Sequence, residues 1–369
     1  MSGQPGSRPR KQEQEEASTE VVEVAPGVLR MQIPINFTGL GHVNAYALVD
    51  SRGATVVDVG LPGRETWSAI QARLKSAGLG LSRVHTVVVT HSHPDHFGSA
   101  GRLAREAGAE LVAERHFHTW FERPNRRADS EEDDTGYFAL MRAKRTPWGG
   151  APFSTSRRHR IGRQLASRGL APSMRPPIPS RRVDDGDQLE LAGRTWTAVH
   201  TPGHTGDHLC LYDPAEQLLV SGDHVLPTIT PHVGGLSPLE DPLGSFLASL
   251  GRLRTIGPVA TVLPAHGHPF HDLGGRIDEI VAHHDDRLAE LRRLADGSGL
   301  VSVVEYSHQL FRRPLWGMMA ESETFAHLEF LRLRGEAERV RLPDGLLAYR
   351  LERSGTASAA DAASGSETT

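Results

Sequence analysis

Thr90-His91-Ser92-His93-Pro94-Asp95-His96 packs three imidazoles and a carboxylate into one loop, directly after the run Val84-His85-Thr86-Val87-Val88-Val89. A β-branched run of this kind reads as a buried strand, so the polar cluster falls where the chain leaves the core. Residues two apart on an extended loop point the same way, which lets His91 and His93 grip one cation. Asp95 and His96 then face the neighbouring space, where a second cation has room. Imidazole nitrogen and carboxylate oxygen are the donors that divalent zinc takes in near-tetrahedral sites.

Outward from that loop the chain alternates short strands with amphipathic helices. Val28 to Pro34, Val43 to Val49 and Ala54 to Val59 read as strands, with turn signals at Pro26-Gly27 and Ser51-Arg52-Gly53. Arg64 to Ala77 has helical spacing and stops at Gly78; Phe97 to Glu106 reads as a second helix, followed by a strand from Glu110 to Ala113. This order, βββαβαβ, predicts a layered α/β domain. Residues 115–182 interrupt the rhythm with many arginines (Arg123, Arg126, Arg127, Arg142, Arg145, Arg157, Arg158, Arg160 and Arg163 among them) and with Trp120, Tyr137 and Trp148. The segment is too long for a plain connection and is expected to be a mostly helical insertion. From Val183 the strand pattern returns, at Gln188 to Leu191, Thr195 to His200, His208 to Tyr212, Gln217 to Ser221 and Ala260 to Leu263. Helices are expected at about 243–256 and from Gly275 to Ala295.

The last part, about 286–353, reads as helices followed by a β-ribbon turning at Pro343-Asp344-Gly345, an order that suggests a winged-helix-like module. Residues 1–19 and 354–369 are too polar to offset chain entropy and are expected to be disordered tails, leaving the main domain at 20–285.

Bulk numbers narrow the function classes. With 41 Lys and Arg against 45 Asp and Glu, the net charge of −4 disfavours whole-molecule attraction to nucleic acid. No apolar stretch approaches the ~20 residues that cross a bilayer, and Met1 to Glu16 lacks the apolar segment of an export signal, so a cytoplasmic location is expected. The one cysteine, Cys210, lies in Leu209-Cys210-Leu211-Tyr212 and reads as a small buried residue. Histidine, at 20 residues, is the outlier.

One loop cannot fill two coordination shells. Three more donors stand at strand ends beside glycine: His204 in Thr201-Pro202-Gly203-His204, Asp223 in Ser221-Gly222-Asp223-His224, and His266 in Pro264-Ala265-His266-Gly267. Taken together, these segments resemble the ordered motifs of the metallo-β-lactamase superfamily, and its binuclear glyoxalase-II-like branch in particular, over about residues 20–285. The resemblance implies a four-layered αββα sandwich with the site on one edge. It implies one metal on His91, His93 and His204, another on Asp95, His96 and His266, and Asp223 bridging the two. Asp58, in Val56-Val57-Asp58-Val59-Gly60, would order the metal loop without binding metal. A cysteine-free set of His and Asp donors suits two divalent ions, zinc first, with manganese or iron also accommodated.

Such ions would hold a bridging hydroxide able to attack a carbonyl or a phosphorus. Asp95 is expected to accept a hydrogen bond from that nucleophile, and His224 and His268 are candidates to protonate a leaving group. The arginines and aromatics of the insertion suggest an anionic acyl substrate such as an acyl-CoA-like thioester, or a lactone. Two other readings are a metal-dependent ribonuclease or phosphodiesterase and a non-catalytic, metal-binding regulatory protein. Glu321 to Arg334 would occupy the place of a recognition helix, but Glu321 and Glu323 in its first turn oppose phosphate. The module is therefore expected to pack or cap rather than bind nucleic acid.

Overall fold

The computed structural model of the chain describes residues 11–37, 39–119, 145–149, 177–294 and 299–351. Its first sheet has seven strands in sequential order: β1 (Val21–Ala25), β2 (Val28–Phe37), β3 (Leu40–Val49), β4 (Ala54–Val57), β5 (Val84–Val88), β6 (Glu110–Glu114) and β7 (Arg181–Val183). β1 to β4 form antiparallel hairpins, whereas β4, β5, β6 and β7 run parallel. The second sheet has the order β12-β11-β10-β9-β8, built from β8 (Gln188–Leu191), β9 (Arg194–His200), β10 (Leu209–Asp213), β11 (Leu218–Gly222) and β12 (Thr261–Pro264).

Alternation along the strands separates three apolar cores, and the cores define four layers. Val28, Tyr46, Leu48, Val57, Val88 and Val112 from the first sheet meet Trp196, Ala198, Leu209, Leu211, Val220 and Leu263 from the second, forming the filling between the sheets. The residues one step along point the other way. Ile33, Val56 and Val87 pack against Trp67, Ile70 and Leu74 of α1 (Arg64–Ser76) and against Leu103 of α3 (Ala100–Ala107). Cys210, Tyr212, Leu219 and Val262 pack against Phe246 and Leu250 of α4 (Pro242–Arg254) and Ile277 and Ile280 of α5 (Leu273–Leu294). The period of two thus decides which helix layer each strand residue meets. The mixed α/β sandwich agrees with the sequence reading, and Cys210 is buried as expected.

Several expectations are corrected. β1 is an additional strand; its Glu23 and exposed Val22 weaken the apolar alternation that would reveal it. The expected helix at 97–106 is broken at Gly98 and Ser99 into α2 (Pro94–Phe97) and α3, because Pro94 starts a new turn inside the histidine loop. Residues 11–19, expected in a disordered tail, lie against the fold. The buried Glu13 carboxylate accepts from the backbone of Thr228 and Ile229 at 2.7 and 3.0 Å, and Lys11 Nζ donates to the Thr228 carbonyl. Polar composition hides a segment held by hydrogen bonds rather than apolar area.

The boundary expected at 285/286 falls within the continuous helix α5. Leu288 and Leu291 of that helix share one core with Tyr306 of α6 (Val303–Leu310), Leu328 of α7 (Met318–Leu333) and Tyr349 of β15 (Leu347–Leu351). β13 (Val301–Ser302) and β14 (Ala337–Arg341) flank β15 in a small third sheet. Ala320, Phe325, Ala326, His327, Leu328 and Leu331 of α7 are all buried, so this helix packs into the molecule. Most of the arginine-rich insertion lies outside the described residues. None of the described helices is long and apolar enough to cross a membrane.

Candidate metal centre

The parallel strand pairs end on one edge, and their last residues hand over to the polar loops. Asp58 follows β4, Thr90 and His91 follow β5, Asp223 follows β11 and His266 follows β12. His204 arrives on the turn between β9 and β10. Two groups of side chains meet there. His91, His93, His204 and Asp223 bring one donor atom each within 4.8 Å of one another, and Asp95, His96 and His266 do the same beside them. Asp223 lies between the groups. Its Oδ2 is 3.9 Å from His91 Nε2, 3.6 Å from His204 Nε2 and 3.5 Å from His96 Nε2, while Oδ1 is 3.2 Å from His266 Nε2. Asp95 Oδ2 is 3.6 Å from His266 Nε2 and 3.7 Å from His96 Nε2.

Partners behind the rings fix which nitrogen faces inward. His266 Nδ1–H donates to the His42 carbonyl at 2.6 Å and His204 Nδ1–H to the His232 carbonyl at 2.8 Å. A carbonyl only accepts, so each Nδ1 carries a proton and each ring turns its Nε2 towards Asp223. His96 Nδ1–H donates to Asp58 Oδ2 at 2.8 Å. The Thr90 hydroxyl donates to the same oxygen at 2.8 Å, which leaves its own oxygen to accept from His91 Nδ1 at 3.0 Å. Asp58 thus orients two rings from one carboxylate, and its Oδ1 also accepts from the Thr90 amide. It does so from a left-handed backbone (φ 52°), which carries the carboxylate back under the loop.

Three of the inward atoms lack a hydrogen-bond partner. His96 Nε2, His266 Nε2 and Asp223 Oδ1 are buried without a hydrogen bond. His93 Nδ1 lies 3.0 Å from both His91 Nε2 and His204 Nε2, so one proton there cannot serve two facing lone pairs. Leaving such groups unpaired costs about 1–3 kcal/mol each. A divalent cation in each group removes that cost, and the His and Asp donors suit zinc, manganese or iron alike.

Charge follows the carboxylates. Burial disfavours a charged His96, but Asp223, Asp58 and Asp95 outweigh it and raise the ring well above its ordinary value. Burial also works against His266, and Asp223 and Asp95 raise it. Asp223 is buried too, yet His266 and His96 hold it well below the usual carboxylate range. His91 and His93 are held well down by burial and by neighbouring imidazoles. The Asp223 and Asp95 carboxylates thus stand among the rings where cations would sit.

Two further sequence candidates lie outside both groups of donors. His224, a candidate proton donor, is fully buried behind the site, its ring 4.5 Å from Phe246, with both nitrogens unpartnered. Burial lowers it to about 3, and it has no route to a leaving group. His268 is tied between Arg30 and Glu15, at 2.9 and 2.8 Å, on the N-terminal segment.

Sequence reasoning misses other residues. His208, expected only as part of a strand, takes the Asp223 amide on Nε2 at 3.1 Å and pairs Nδ1 with Thr201 Oγ1 at 2.8 Å. A Cβ on Gly222 (φ 51°) would lie 2.6 Å from that Nε2, so this contact needs glycine there. Asn44 Nδ2 donates to the carbonyls of Pro264 and Gly267 at 2.8 and 2.9 Å, clasping the His266 turn. The only hint of these roles is the presence of polar residues amid apolar strands, at His42, Asn44 and His208. A third group, Glu114, His116 and His200, is satisfied within the protein. His116 Nδ1 and its own amide donate to Glu114, and His200 Nε2 donates to the Gly206 carbonyl.

Comparison with known proteins gives a consistent result. The family model described as the metallo-beta-lactamase superfamily matches residues 38–268. A solved metallo-beta-lactamase family protein from Thermus thermophilus superposes with a TM-score of 0.70 at 29% identity, covering 89% of this chain and 100% of the other. The probable metallo-hydrolase YqjP of Bacillus subtilis (strain 168) is 27% identical over 315 residues, covering 82% of this chain and 92% of its own. The atrochrysone carboxyl ACP thioesterase AgnL7 of Paecilomyces divaricatus is 32% identical over 136 residues, a stretch that spans 36% of this chain and 41% of that protein.

Proposed function

The chain belongs to the metallo-beta-lactamase superfamily, and from that premise we propose that it is a binuclear metal-dependent hydrolase of small acyl compounds, with thioesters favoured. The observation that carries the reading is the position of Asp223 between the two groups: Oδ2 lies near His91 and His204 of one and His96 of the other, and Oδ1 meets His266 of the other. His91, His93 and His204 would hold one ion, Asp95, His96 and His266 the other, and Asp223 both. When bound, such a pair supplies a Lewis acid and lowers the pKa of water from 15.7 to about 7.

The chain's own groups do the rest. Asp58 and the His42 and His232 carbonyls hold the rings so that no reorganisation is needed as charge develops. Asp95 turns Oδ2 to His96 and His266, and its carboxylate would accept a hydrogen bond from the attacking water. The burial of His91, His96 and His266 keeps bulk water from the inner face of the site.

A thioester substrate is supported by the partial likeness to a protein named as a carrier-protein thioesterase. It is also supported by the arginines of residues 115–182, which would favour an anionic carrier. The packed-in face of α7 supports a packing role for the C-terminal segment over nucleic-acid docking. A cytoplasmic location accords with this reading. Hydrolysis of acyl-CoAs of several chain lengths, with and without chelator, tests it. Turnover that chelation abolishes and zinc restores is expected; no turnover above the metal-stripped protein contradicts it.

A further inference from the structure

His204 is the one imidazole of the first group that comes from outside the β5 loop, and its orientation depends on a segment far away in sequence. Its Nδ1–H donates to the carbonyl of His232, in the long connection between β11 and α4. That connection has no strand or helix of its own, so something must hold His232 in place. The support comes from α7. The His232 ring meets Glu323, with Nδ1 3.5 Å from Oε2, and Glu323 is faced in turn by Arg287 of α5 at 3.9 Å.

The next residues lie directly on the same helix. The Gly235 amide donates to the Ser322 carbonyl at 2.9 Å and the Leu236 amide to Ser322 Oγ at 3.2 Å. A Cβ on Gly234 would lie 2.6 Å from Ser322 Oγ, and one on Gly235 would overlap the Phe325 ring. Backbone against helix therefore leaves the connection one seating. The helix is itself fixed by the core it shares with α5 and β15.

We propose that Glu323 is a positioning residue for the candidate metal centre, acting through His232 to hold His204, so that the C-terminal segment is needed for full affinity at one ion of the pair. The inference rests on the two-ion reading of the site. Partners that orient a ligand in this way are worth about 10–100-fold in metal affinity, and the effect on the other ion is smaller because His96 and His266 are oriented by Asp58 and by the His42 carbonyl, not by His232.

Equilibrium competition between the full chain and a chromogenic zinc chelator, with zinc alone as probe, tests this. Glu323→Ala is expected to weaken one of two zinc ions at least ~10-fold and the other little. His232→Ala is expected to do the same, and the double variant to be no worse than either single one. Glu323→Gln, which keeps an acceptor for the His232 ring, is expected to restore most of the affinity. Zinc binding unchanged in Glu323→Ala and His232→Ala, or both ions weakened equally, overturns the proposal whatever happens to thermal stability. An unaltered chain that binds no zinc overturns the two-ion reading with it, so the two failures are told apart by the unaltered protein.

Discussion

Among the described residues, two sets of histidines pack on either side of the second sheet's edge, one in front and one behind, and they differ in what surrounds them. In front, His91, His93, His96, His204 and His266 converge on Asp223 and Asp95. Behind, His208, His224, His284 and His327 form a chain of ring contacts with Phe246 in the middle, at 5.5 Å from His208 to His224, 4.5 Å to Phe246, 5.6 Å on to His284 and 5.2 Å to His327. Burial acts on both sets alike. It leaves every ring of the rear set below its ordinary value, His224 and His284 at about 3. Only where carboxylates face the rings does the balance reverse, at His96 and His266. Burial alone thus leaves a histidine as packing; what sets the front group apart is geometry, with ring nitrogens and carboxylate oxygens converging within 4.8 Å of one another.

The sharpest way to break the distinction is to remove the shared carboxylate. Asp223→Ala is expected to lower bound zinc from two equivalents to one or none and to cut hydrolysis by on the order of 10³-fold. Metal analysis of protein from zinc-supplemented cells, alongside the acyl-CoA assay, checks both. Two equivalents retained would mean that Asp223 joins nothing.

A smaller effect is expected one step back. Asp58→Asn keeps a residue that tolerates the left-handed backbone but sets an amide donor against the donors of Thr90 or His96. Zinc affinity should fall about 10–100-fold, with chelator competition as the measurement.

The rear set should show itself in acid stability instead. A histidine held near 3 in the folded chain stays neutral while the unfolded chain, titrating near 6.5, takes a proton. Its contribution is therefore whole above pH 6.5 and is lost as pH falls from there towards 3. For His284 the loss at pH 5 relative to pH 8 is about 2 kcal/mol. His284→Leu should remove that much of the acid destabilisation in urea unfolding of the chelated protein. His224→Leu, in turn, should leave zinc stoichiometry and turnover unchanged; lost turnover would restore His224 as a proton donor. The smallest effect is expected at the self-satisfied group: Glu114→Gln should leave the zinc count at two.

The same contrast explains what the sequence could reveal. The ligand residues stand at strand ends beside glycine, and donors in that setting are legible because strands and turns have short-range signatures. Asp58 is legible only through the family pattern. His208, His42 and His232 act through ring or carbonyl contacts with residues near or far along the chain, which spacing does not encode. His224 misleads because adjacency to Asp223 in sequence puts its ring on the opposite side of the backbone, in the core with Phe246. The layers and the helix α5 are readable from periodicity, whereas the N-terminal segment, held by Glu13, and the absence of a domain boundary at 285/286 are not.

Anomalous diffraction at the zinc edge from crystals of the zinc-loaded chain tests the central claim most directly. Two peaks are expected, one among His91, His93 and His204 and one among Asp95, His96 and His266, with the Asp223 carboxylate between them. A single peak, or peaks elsewhere such as at Glu114 or among the rear histidines, would contradict it.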